Sequence, residues 1–186
     1  MKMDKILLVC ALPQETNSKF IHSDLYHMYT GVGKINATYK LTKALLDDRN
    51  DFDLVINYGT AASKTYSGLV DCTRFRQRDM DARPLGFDIG ETPFDNKPPM
   101  VDFSHIKNPI NKNLTCYTGD SFVTDIKDMD VVDMEAYALA KVCERLDTDF
   151  ISYKYISDDG DADDWKKNCG IGINKVMEVL KYYERI

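Results

Sequence analysis

Apolar residues fall along this chain in short, nearly unbroken runs, separated by stretches with helical spacing. Ile6 to Leu12 and Leu54 to Tyr58 carry few polar residues, and runs of this kind predict strands covered on both faces. Further strands are expected at Leu25 to Tyr29, Leu69 to Phe75, Leu114 to Tyr117, Val131-Val132 and Phe150 to Ile156, with Pro84 to Phe87 beginning another. Between them, Ile35, Thr38, Leu41, Leu45 and Leu46 lie near one face of a helix over 34–46, and 136–146 shows the same spacing. Ile173, Val176, Met177, Val179 and Leu180 predict a final helix. The stretch 88–113, rich in Gly, Pro, Asn and Lys, predicts loop with at most short elements. Strands alternating with helices predict one α/β domain over 1–186, with a central mixed, largely parallel twisted sheet flanked by helices.

Composition narrows the partners. The chain has 186 residues, 44% hydrophobic and 29% charged, a soluble globular balance with room for one substantial core. A net charge of -6 argues against a nucleic-acid backbone, which needs a basic face. Arg74, Arg76, Arg78 and Arg83 cluster, but they alternate with acids and aromatics and predict a solvated strand face. Five cysteines (Cys10, Cys72, Cys116, Cys143 and Cys169) stand far apart without a CxxC pair. That pattern predicts reduced core thiols, with neither a zinc site nor a disulfide framework. The first apolar run stops at Pro13, too short for a signal segment, and no later run is long enough to span a bilayer. A cytoplasmic protein is expected.

Several tempting motifs fail on spacing. Thr30-Gly31-Val32-Gly33-Lys34 lacks the leading Gly of a phosphate loop and has Ile35 where a metal-binding hydroxyl belongs. Its glycines predict a tight strand-to-helix turn with close approach to a ligand. Asp158, Asp159, Asp161, Asp163 and Asp164 have Gly160 too early for a calcium loop and no closing Glu; most are expected to be solvated or to cap the last helix. His22, His27 and His105 have no nucleophile in a recognisable setting.

The positive pattern lies in carboxylates that follow strands: Glu15 after the first, Glu135 after the penultimate, Asp158 at the end of the last. In Val131-Val132-Asp133-Met134-Glu135-Ala136 the acids sit where a strand gives way to a helix. Acids there commonly cap a helix or favour its dipole, and polar ligands bind at the same kind of place. In an open α/β sheet such loops converge on one crevice. Three carboxylates in a crevice suit glycosidic cleavage: one activates water, one protonates the leaving group and one orients sugar hydroxyls.

Taken in order, Ala11-Leu12 through Glu15, Thr30 to Lys34, Gly59-Thr60-Ala61-Ala62, Thr118 to Phe122, Val132 to Ala136 and Ile156-Ser157-Asp158 cover most of the chain. In this order they resemble the purine nucleoside phosphorylase and nucleosidase superfamily, and within it the 5′-methylthioadenosine/S-adenosylhomocysteine nucleosidases. The resemblance implies hydrolysis of an adenine nucleoside to free adenine by a homodimer needing no cofactor and no metal. It implies catalytic roles for Glu15, on the attacking water, and Asp158, as the acid at adenine N7 sharing its proton through Ser157. Glu135 and Met134 would hold the ribose, and Phe122 and the Val123 backbone the purine. Thr60 and Ala61 would line the ribose and water site, and Trp165 the 5′ side. Segment 78–94 resembles a loop donated to the neighbouring subunit, with Leu85, Phe87 and Pro93 reaching the 5′ group.

Departures bear on the substrate. Phosphorylases of the superfamily place arginines where this chain has Pro13-Gln14-Glu15 and Ser67-Gly68, so water is expected over phosphate as the nucleophile. Lys154 stands where an Arg is often found, and 15–30 and 93–114 are condensed, which opens the question of 5′ selectivity. An AMP or other purine nucleosidase, with arginines from 74–83 serving a 5′-phosphate, a purine nucleoside phosphorylase and a non-catalytic nucleoside-binding module are the alternatives.

Overall fold

The computed structural model describes residues 5–19 and 25–183; His22 lies outside the described residues. Strand β1 (Ile6–Cys10) runs parallel to β3 (Leu54–Ala62), Leu8 opposite Ile56, and β2 (His27–Tyr29) lies parallel on its other side. On the far side of β3 lies β8 (Asp149–Asp158), also parallel and paired along nearly its whole length. Strand β4 (Gly68–Gln77) is antiparallel to β8 and parallel to β6 (Leu114–Thr118), with β5 (Met100–Asp102) antiparallel along it. Strand β7 (Val131–Asp133) is parallel to β6 and meets β3 antiparallel, Val132 opposite Ala62.

That last contact makes β3, β8, β4, β6 and β7 a closed ring. The mixed sheet is as the pattern predicts, but it is not open. Long, strongly twisted strands curl until their free edges pair, and closure removes exposed edge groups. A register shift at Ala61/Ala62, where β3 leaves β8, lets it turn toward β7.

Four local expectations are corrected. The strand expected over 54–58 runs on through Gly59 to Ala62, Thr60 facing Tyr155 across the ladder. Pro84 to Phe87 do not begin a strand; Arg83–Leu85 is a short 3-10 helix, ended by Gly86 at φ +88, and Pro84 has no N–H for a ladder. The acids after Asp158 cap a separate helix, α3 (Ala162–Asn168), whose first N–H groups at Asp163 and Asp164 donate to the Asp161 side chain. Nor do Arg74, Arg76 and Arg78 form a solvated face; only Arg83 of the cluster is exposed, paired with Asp81. Arg74 donates to the Asn113 carbonyl, Arg76 to that of Ile89 and Arg78 to that of Gly119, tying β4 to the following loops.

Helices α1 (Lys34–Leu45) and α2 (Ala136–Arg145) pack against each other, and α4 (Ile173–Tyr183) closes the other face, its Tyr183 hydroxyl 2.6 Å from that of Tyr153. Leu139, Ala140 and Cys143 of α2 are wholly buried, as are Leu8, Ile56, Phe75 and Phe150. All five cysteines are buried and unpaired. Among the described residues no helix is long and apolar enough to cross a membrane.

Candidate active site

The carboxyl ends of β3, β7 and β8 point at one spot, because β7 arrives antiparallel to the other two. A cavity of about 370 Å³ opens there, lined by Glu15, Glu135 and Asp158 together. Its size is in the range of small-molecule sites. Closure of the ring, not an open-sheet crevice, brings the three acids together.

Glu15 gets there by a short 3-10 turn, Pro13–Thr16, with Pro13 in its first position where the missing N–H is no loss. The turn folds the carboxylate back over β3. Its Oε1 accepts from the Thr60 N–H at 2.7 Å and the Thr60 hydroxyl at 2.9 Å; its Oε2 accepts from the Leu12 N–H at 3.0 Å. Gly59 makes room: a Cβ there would lie 3.0 Å from Glu15 Oε1 and 3.5 Å from Lys154 Nζ. The Trp165 indole N–H of α3 donates to Thr60 Oγ1 at 2.9 Å.

Asp158 ends β8. Ser157 Oγ donates to its Oδ2 at 2.7 Å and lies 3.3 Å from the Ala61 carbonyl, a second acceptor for the same hydroxyl. The Gly160 N–H returns to Asp158 Oδ1 at 3.0 Å. That turn needs glycine: φ is +110, and a Cβ would lie 3.0 Å from the Val123 and Thr124 carbonyls. Ser157 was expected to line the site; it stands behind Asp158 and does not line the cavity.

The acids of 131–136 divide the roles that sequence left open. Asp133 caps α2, accepting from the Ala136 N–H at 2.8 Å, and pairs with Lys154 Nζ at 2.8 Å in a fully buried bridge. Burial alone would raise its carboxyl, but the Lys154 charge and the Thr118 and Ala136 donors outweigh it and hold it below the usual range. Lys154 is lifted above the ordinary lysine range, because its acidic neighbours outweigh the opposing effect of burial. Glu135 faces the cavity instead, one oxygen accepting from the Gly33 N–H at 2.8 Å. Burial, then the charge of Asp133, pushes it up to about 8. At neutral pH it is therefore largely protonated and can donate as well as accept.

Thr60, Ala61, Phe122, Val123, Met134 and Trp165 line the cavity. Leu85, Phe87 and Pro93 do not; they lie in the loop after β4. Lining residues not foreseen from sequence include Val32, Ser121, Asp133, Ala162 and Lys166. Ala162 and Lys166 share α3 with Trp165, and the spacing of that helix is too short to see. Lys34, in the phosphate-loop lookalike, is engaged by Asp79 at 2.5 Å and Asp120 at 3.7 Å. No arginine lines the cavity among the described residues.

Sequence kinship places this closed ring, with its acids at converging strand ends, among the nucleosidases of the nucleoside phosphorylase superfamily. No protein-family model matches the chain. It is 31% identical to the 5′-methylthioadenosine/S-adenosylhomocysteine nucleosidase of Staphylococcus saprophyticus over 159 residues, 72% of this chain and 68% of that one. The chain belongs to that nucleosidase family. In three dimensions it superposes on a Helicobacter pylori nucleosidase of the family with TM-score 0.82 at 17% identity, covering 100% of this chain and 99% of that one. It matches futalosine hydrolase of Helicobacter pylori equally, TM-score 0.82 at 17% identity and 98% of each chain. The shared fold therefore does not select among substrates.

Proposed function

We propose that this protein hydrolyses the N-glycosidic bond of adenine nucleosides, methylthioadenosine or S-adenosylhomocysteine, releasing adenine. The observation that carries the proposal is that Glu15, Glu135 and Asp158, far apart in sequence, line one cavity. Sequence kinship to the Staphylococcus saprophyticus nucleosidase supports it.

In this mechanism Glu15 orients water and accepts its proton on the remaining lone pair of Oε2. Asp158 protonates the purine N7, after which the base leaves neutral. When Asp158 carries that proton, Ser157 turns toward the Ala61 carbonyl and accepts from Asp158. Glu135 and Met134 hold the ribose, and Phe122 stacks on the purine with the Val123 backbone at its edge. Positive charge growing on the ribose is stabilised by the Glu15 carboxylate more than the neutral substrate is, which lowers the barrier. No step requires a metal or organic cofactor.

Phosphate is a poor nucleophile here, since Glu15 repels it and no arginine lines the cavity among the described residues. Bonds made elsewhere leave the 74–83 arginines unsuited to a 5′-phosphate: Arg74 and Arg76 bond loop carbonyls, and Arg83 bonds Asp81. Incubation with methylthioadenosine, S-adenosylhomocysteine, adenosine, AMP and inosine, with and without phosphate, tests the proposal. Adenine released without phosphate is expected; strict phosphate dependence or binding without release would overturn it.

The active form in this proposal is a homodimer. Phe94 is 91% exposed, its ring 5.5 Å from that of Phe87, and Leu85 is exposed beside them. A groove between α1 and α2 carries Tyr39 and Ile35, the latter 82% exposed. Apolar loop and apolar groove on one surface suit a second copy. Val32, on the turn into α1, lines the cavity, so a loop seated there would bring Leu85, Phe87 and Pro93 to the 5′ side.

A further inference from the structure

We propose that Trp165 is a positioning residue for the water-activating carboxylate, acting through the Thr60 hydroxyl; this rests on the hydrolytic function above. An indole N–H can only donate. At 2.9 Å from Thr60 Oγ1 it therefore uses that oxygen as an acceptor. The single proton of the Thr60 hydroxyl is then directed to Glu15 Oε1, also 2.9 Å away. The hydroxyl would otherwise rotate freely, and a substrate hydroxyl or water in the cavity could take its proton. Trp165 removes that freedom.

The consequence is geometric. A carboxylate offers about four acceptor directions. The Thr60 N–H and hydroxyl take both on Oε1, and the Leu12 N–H takes one on Oε2. One direction on Oε2 is left for water. In a chain of bonds each polarises the next, so the indole strengthens the Thr60 to Glu15 bond as well as aiming it. Helix α3 also grips the acid side, where Asn168 Nδ2 donates to the Ser157 carbonyl at 2.7 Å. One short helix thus sets both partners of the reaction. A role as an apolar wall alone would use the Trp165 ring and not its N–H, and the two are separable.

The chain has a single tryptophan, so its indole N–H gives one unambiguous nitrogen–proton resonance. Thr60→Val should shift that resonance and Thr60→Ser should restore it. Trp165→Phe keeps a ring and loses the donor. With methylthioadenosine it should lower kcat about tenfold, as expected for one lost positioning bond, with KM within about twofold. The Trp165→Phe/Thr60→Val double variant should be no slower than Thr60→Val alone, the signature of residues acting through one another. A resonance unmoved by Thr60→Val, a Trp165→Phe enzyme altered only in KM, or additive losses would each overturn the positioning role while wild-type hydrolysis stands. A wild-type protein that releases no base would instead sink the hydrolytic function, and the positioning role with it.

Discussion

Glu15, Asp158 and Glu135 have similar chemistry and different surroundings, and the surroundings separate the roles proposed for them. Glu15 is held by three donors and Asp158 by a serine hydroxyl and a glycine N–H, whereas Glu135 has one backbone donor and a charged neighbour. Glu15→Gln and Asp158→Asn should each lower turnover at least about a hundredfold, the usual scale for a general base or acid. Unchanged circular dichroism would show that the fold is kept, and near wild-type rates would remove the assigned role. Glu135 predicts a pH effect on stability. Its carboxyl rises from an ordinary 4.5 to about 8 on folding. The folded state then holds a proton that the unfolded chain releases, so wild-type stability is full below the lower value and falls as pH rises through the upper one. Glu135→Gln does not titrate, so its melting temperature relative to wild type should climb between about pH 5 and about pH 9. A constant difference across that range would contradict the burial argument.

At the scale of elements, the site depends on β7 and β8 being tied beneath it. Lys154 and Asp133 do this with a bridge that no water reaches. Removing one partner leaves the other charge buried alone, at a cost of about 3–5 kcal/mol. Lys154→Met should therefore lower the denaturant midpoint strongly, and adding Asp133→Asn should recover much of the loss. A small effect of Lys154→Met would mean that the pair is dispensable. Short elements were the hardest to foresee. The α3 helix and the Arg83–Leu85 turn are each too brief to show a period, and the small residues Gly59 to Ala62 carry little strand signal until their partner Lys154 to Asp158 is known. Long elements such as α1 and α4 were legible, since several apolar positions repeat along each.

For the whole molecule, the proposed dimer sets the last boundary of the site. Leu85→Asp should shift the species seen in sedimentation toward monomer and raise KM for methylthioadenosine, because a charged side chain would have to be desolvated at the contact. A variant that stays dimeric, or a wild-type protein that is monomeric and fully active, would exclude the shared site. A fold common to a methylthioadenosine nucleosidase and a futalosine hydrolase does not by itself select a substrate.

By itself the sequence determined the alternation of strands and helices, the acids at strand ends and the family, because period, turn chemistry and residue identity are local properties. It did not determine that the sheet closes, that Ser157 stands behind Asp158, that Asp133 pairs inward while Glu135 faces the cavity, or that Trp165 reaches Thr60. Those depend on register and on which distant groups share a desolvated space. Only the tertiary structure decides them, because the energy of a buried charge or hydrogen bond is set by neighbours that lie close in space and far apart along the chain.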